Sequence, residues 1–150
     1  QRMQRLDHSM IFMLIAATFT PFGMLTLGGW FRVATLSVAW GLASIGIGAV
    51  TRGSGTAYRR RVAAMIGLGW LSALVAVPVG RQLGTGALAL LAAGGAIYSI
   101  GGLLFAFRWP RLWPRAFSYH EVFHVLVVLA SVLHFAVVYH YLLPLAAAQG

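Results

Sequence analysis

Five long runs of apolar residues, each nearly free of charge, govern what this 150-residue chain can fold into. They fall at about 6–27, 30–50, 62–80, 83–107 and 117–143. A bilayer span needs about 20 mostly apolar residues, and all five come near that length. Lipid offers no hydrogen bonds, so an isolated span must satisfy its own backbone and is therefore helical. A transmembrane β-barrel would show alternating strands of about ten residues, and these runs do not alternate. The pattern predicts an all-α integral membrane protein, a single bundle of about five transmembrane helices.

Composition removes the alternatives. Hydrophobic residues make up 60% and charged residues 9% of the chain, against about half and a quarter in soluble domains. A soluble domain of this size has too much surface for its volume to hide so many apolar groups. Disorder needs the opposite balance, with high charge and few aromatics. Cysteine is absent, which excludes disulfides and thiolate metal sites.

The net charge of +9 comes from eleven arginines set against only two acids, Asp7 and Glu121. Such a balance can serve nucleic acid, whose phosphates need cations. Here the arginines punctuate the apolar runs and line no helix face, so no nucleic-acid partner is expected. Arg2, Arg5, Arg52, Arg59, Arg60, Arg61, Arg108, Arg111 and Arg115 share one side if the chain crosses five times. Arg32 and Arg81 lie near the other. The positive-inside rule then puts the start of the first helix in the cytoplasmic leaflet and the C-terminus outside.

Short turns are predicted at Gly28–Gly29 and at 80–82, with longer polar connections at 51–61 and 108–115. Pro110 and Pro114 stiffen the last of these, and Pro21 predicts a kink in the first helix. Small residues four apart let helix backbones approach in lipid. Ala39/Ala43, Ser44/Gly48, Ala63/Gly67, Ala92/Ala96 and Gly95/Ser99 have that spacing. Trp109, Trp113 and Tyr119 at one level, and Tyr139 and Tyr141 at the other, form expected interfacial belts. No signal-peptide cleavage site is visible. The chain opens on Gln1 and turns apolar within a few residues, which leads us to expect further sequence upstream.

Chemistry concentrates at one membrane level. Both acids lie beside histidine: Asp7-His8 opens the first helix and His120-Glu121 opens the last. His120 and His124 are four residues apart, so they share a helix face about 6 Å apart along the axis. That suits two imidazoles on one tetrahedral zinc, with Asp7 as third ligand and a fourth position free for water. The plainer reading is that two interfacial histidines hydrogen-bond to backbone and headgroups. The string from His120 to His124 also matches H-E-x-x-H, in which Glu121 would activate a zinc water. Intramembrane proteases of that type take a third carboxylate from a later helix, and no acid follows Glu121.

Ser9 stands close enough to orient Asp7 or a water, or to cap the first helix. His8 reads as an interfacial group and His140 as a headgroup contact. His134 lies about 15 Å beyond His124 along the helix. It cannot share that metal, and its expected place is a hydrogen bond in the bundle interior, with a proton relay as the alternative.

The segment from Asp7 to Phe22, DHSMIFMLIAATFTPF, resembles the third-helix signature of bacterial hemolysin III proteins. The segment from Tyr119 to Phe135, YHEVFHVLVVLASVLHF, is similar to their last-helix signature. The resemblance covers nearly the whole chain and places it with the progestin and adipoQ receptors. It implies a seven-helix fold with cytoplasmic N-terminus and external C-terminus, of which this chain holds the last five helices. It also implies zinc near the cytoplasmic face on one aspartate and three histidines. Asp7, His120 and His124 match three of those ligands, and the fourth is expected upstream of Asp7.

The superfamily includes alkaline ceramidases. The resemblance therefore implies a zinc-dependent hydrolase of lipid amide or ester bonds in a bacterial inner membrane, with Glu121 and Ser9 as possible supporting groups. The rival expectation is a non-enzymatic protein, a cytolysin or a lipid-sensing factor, in which zinc is structural. A transporter is disfavoured because no acid lies mid-span, where coupling ions usually bind.

Overall fold

A computed structural model describes residues 2–52, 58–113 and 117–149. Pro114, Arg115 and residues 53–57 of the connection at 51–61 lie outside the described residues. Helix α1 spans Arg2–Thr26, α2 Gly29–Thr51 and α3 Tyr58–Trp70. A tighter 3-10 turn at Leu71–Val75 leads into α4, Ala76–Phe107. Helix α5 spans Tyr119–Val137, followed by a π-helical turn at Val138–Leu142 and the short α6, Leu143–Gln149.

The sequence keeps its few polar side chains compatible with lipid by bonding them to their own helix. Thr18, Thr20, Thr26, Thr35, Ser99 and Ser131 each donate to the carbonyl four residues earlier, at 2.7–2.8 Å. A hydroxyl used this way leaves no donor facing hydrocarbon. Helix α1 continues through Pro21 to Thr26.

The bundle is assembled from antiparallel neighbours. Helices α1 and α2 reverse at Gly28–Gly29, where Gly29 takes φ +55°. Phe12 lies across Gly46 so closely that a Cβ there would sit 2.6 Å from its ring. At the open ends of the pair, an Arg5 Nη1 donates to the Thr51 carbonyl.

Helical geometry from Arg59 to Phe107 covers 49 residues, or roughly 70 Å if straight, more than twice a hydrocarbon core. The run is not straight. At Gly84 the backbone takes φ 83° and ψ 175°, a region open essentially to glycine alone. The chain folds back there: Gly80 faces Leu88, Trp70 Nε1 donates to Ser99 Oγ at 3.0 Å, and Gly102 lies against Ile66. These pairs are all centred on Gly84. The reversal therefore falls a few residues past the turn predicted at 80–82, which remains helical because Gly80 keeps ordinary helical angles.

The arm of α4 beyond Gly84 packs closely along α5. Gly101 faces Leu126, Gly94 faces His134 and Tyr98 bonds Ser131. Of the small pairs singled out by spacing, Ala39/Ala43 is buried, whereas Ala63/Gly67 and Ala92/Ala96 face outward. Spacing selects a helix face without saying which way it turns. Leucine, valine, tryptophan and phenylalanine cover much of the outside, as lipid-facing surface requires. The protein is a multi-pass all-α membrane bundle.

Candidate metal centre

Two helices distant in sequence bring the predicted ligands together. Asp7 lies in the second turn of α1, and His120 and His124 lie in the first two turns of α5. His124 Nε2 is 2.9 Å from His120 Nε2 and 3.5 Å from Asp7 Oδ1. His120 Nε2 is 4.0 Å from Asp7 Oδ2. A tetrahedral zinc with ligands near 2.0–2.1 Å away separates its donors by about 3.3 Å, inside the range seen here. The three ligand atoms lie within 4.8 Å of one another, a group that could hold a metal ion.

The carboxylate supports the fit. Asp7 Oδ2 is buried and accepts no hydrogen bond. An orphaned carboxylate oxygen away from water is costly unless a cation approaches it. Both imidazoles turn Nε2 to the same point, which leaves Nδ1 to carry the ring proton, as metal-ligating histidines do.

The neighbouring residues divide sharply. Glu121 does not join the cluster. Its Oε2 accepts the Ser118 backbone N–H at 2.8 Å, a capping box that fixes the start of α5. That contact takes up the carboxylate that the H-E-x-x-H reading assigned to zinc water. Ser9 lies inside α1, which begins at Arg2, so it caps nothing; its Oγ is buried without a hydrogen-bond partner. His8 is 1% exposed, with its ring 5.9 Å from that of Phe105. The expected interfacial position fails because residue 8 falls on the face of α1 turned into the bundle. His140 is exposed beside Tyr139.

Beneath the cluster runs a cavity of about 230 Å³ between α1, α3, α4 and α5. Phe105 and Phe123 stack at 4.6 Å at its cluster end, with their rings 5.6 Å and 5.5 Å from His120 and His124. His134 lines the same cavity farther along. Its Nδ1 donates to the Ala130 carbonyl at 2.8 Å, so the interior hydrogen bond expected from sequence is made. Sequence reasoning missed Tyr98, Ser131 and Gly94 around it. One signal was available: Ser131 follows His124 by seven residues, and thus shares its helix face.

The profile of the Haemolysin-III related family matches residues 1–135. The chain belongs to this family. It is similar to "Hemolysin-3" of Bacillus cereus, 34% identical over 141 residues, covering 94% of this chain and 62% of that protein. It is likewise similar to "Hemolysin-3 homolog" of Bacillus subtilis (strain 168), 29% identical over 136 residues, covering 91% and 61%. The chain thus spans about three-fifths of the length of these hemolysin III relatives. No solved structure matches this hemolysin III chain significantly.

Proposed function

We propose that this hemolysin III chain carries the zinc site of a membrane hydrolase that cleaves an amide or ester bond in a lipid. The observation that carries the reading is the meeting of Asp7, His120 and His124, with Phe105 and Phe123 between them and a largely apolar cavity. Zinc held by these three side chains would supply Lewis-acid chemistry, polarising a carbonyl and lowering the pKa of water. Asp7, His120 and His124 would be three of the ligands, with the fourth that the family resemblance implies lying upstream of Asp7.

The chain's own groups have separate tasks. Asp7 supplies the negative charge that balances the cation. His120 and His124 set its position through a helix start fixed by Glu121 and Ser118. The Phe105–Phe123 stack separates the polar cluster from the hydrocarbon-like cavity below, which suits an acyl chain attached to a polar head. The cluster lies at the arginine-rich end of the bundle, which we assign to the cytoplasmic face of a bacterial inner membrane.

The rival reading is a non-enzymatic one. The relatives' name, Hemolysin-3, favours membrane lysis, with a metal that only ties α1 to α5. Two measurements on detergent-purified protein decide: zinc content by plasma mass spectrometry, and release of product from a fluorescent ceramide analogue. The hydrolase reading expects zinc bound and turnover, both lost in the His120→Ala, His124→Ala variant. Zinc bound with no turnover across a broad lipid panel would leave the structural reading. Full zinc loading of the double variant would remove the site assignment itself.

A further inference from the structure

The cavity is mostly apolar, and of its polar lining residues Thr18, Ser72 and Ser99 each donate to a carbonyl of their own segment, while Trp70 donates to Ser99. Around His134, every hydroxyl and ring proton has a fixed direction. Ser131 Oγ donates to the Val127 carbonyl at 2.8 Å, so the Tyr98 hydroxyl, 2.7 Å away, donates to Ser131. His134 Nδ1 faces the Ala130 carbonyl, which can only accept. Neutral His134 therefore carries its proton on Nδ1, and Nε2 is an acceptor. Among the described residues, no protein group donates to it. Its ring is held by Phe22 edge-on at 6.5 Å, Tyr98 at 5.6 Å, and Gly94, where a Cβ would fall 2.5 Å from Cε1. The ring cannot turn without disturbing α4, so Nε2 is a positioned acceptor in a water-poor wall.

The cavity does not end at His134. It continues to Leu88 and Val79 and starts at Phe105 and Phe123. A chain filling it would pass His134 part-way along, with hydrocarbon on both sides. An all-hydrocarbon chain would strip Nε2 of water and leave it unpaired, which weakens binding. A hydroxyl at that level would donate to it instead.

We propose that this cavity binds a lipid chain bearing a mid-chain hydroxyl, which donates to His134 Nε2. The binding preference needs no metal. Only the hydroxyl's register along the chain rests on the proposed hydrolase reading. If the polar head lies at the cluster, the hydroxyl falls about 15 Å away, ten helical residues from His124.

The test measures binding of stearate and of hydroxystearates to the purified 150-residue chain, with the hydroxyl either mid-chain or beside the carboxylate. Mid-chain hydroxystearate should bind about tenfold more tightly than stearate. In His134→Phe, which keeps an aromatic ring against Gly94 and Phe22, the two should bind alike. Gly94→Ala should also weaken the preference, by displacing the ring. The preference should survive in the His120→Ala, His124→Ala variant, which separates it from the metal reading. Preference for the hydroxyl beside the carboxylate, unchanged by His134→Phe, would overturn the proposal. So would equal affinity of the unmodified chain for all three ligands, since water would then satisfy Nε2. That comparison needs no variant to fold.

Discussion

Glu121 and His120 are adjacent in sequence and serve different ends. The histidine turns toward Asp7, and the carboxylate turns back to hold the Ser118 N–H. Glutamine can make the same capping contact. Glu121→Gln should therefore leave both zinc content and unfolding temperature unchanged, whereas Glu121→Ala should lower the unfolding temperature. Thermal unfolding in detergent checks both. Loss of lipid turnover in Glu121→Gln, with zinc retained, would instead assign the carboxylate to chemistry. That His120 and His124 share a face was legible in the sequence because helical spacing fixes it. The contact of Glu121 was not, since that one residue satisfies both the H-E-x-x-H string and the Ser118-x-x-Glu121 capping box. His8 was misplaced because an apolar run marks where a span lies and does not say which face of the helix turns into the bundle.

At the scale of elements, the reversal at Gly84 is set by one residue's backbone. A Cβ at Gly84 would touch nothing within 4 Å, yet its φ of 83° excludes other side chains. Gly84→Ala should cost about 1–3 kcal/mol through backbone strain alone. Gly67→Ala is the matched control, since it also meets open space but has ordinary helical angles. It should be neutral or slightly stabilising, by up to about 1 kcal/mol. Equal effects of the two substitutions on unfolding temperature would mean that the Gly84 backbone is not what makes the turn. Hydropathy predicted five apolar runs, and the third and fourth meet at the Gly84 reversal with no polar loop between them. Only the backbone angle shows where the chain reverses. Gly46, Gly94 and Gly102 mark close approaches to side chains of other helices, and the sequence hides which glycines do so because glycine is frequent throughout the spans.

Across the whole molecule, the candidate centre joins the first described helix to the fifth. A metal bound only by the folded protein adds stability that grows with its free concentration. Zinc removal by a chelator should lower the unfolding temperature of the unmodified chain and leave His120→Ala, His124→Ala unmoved. Orientation is testable separately: a C-terminal reporter active only outside the cytoplasm should be active, and a fluorescent protein fused there dark. The opposite pair of signals would reverse the proposed face of the cluster. Fold class and family were readable from hydropathy and two helix signatures. The cavity was not, because it is a gap between four segments that no single stretch of sequence encodes.

The Gly84 fold-back also bears on how the chain enters a bilayer. Its tip presents only Arg81 and Gln82 as strongly polar side chains, and the Gln82 amide later donates to the Thr26 carbonyl at 2.8 Å. Carrying a single arginine across costs about 2.5–3.5 kcal/mol on insertion scales, far less than the two flanking apolar arms gain by leaving water. With almost no loop to translocate, the two arms are suited to enter together as one preformed wedge, and biogenesis then needs one insertion event where a hydropathy plot counts two.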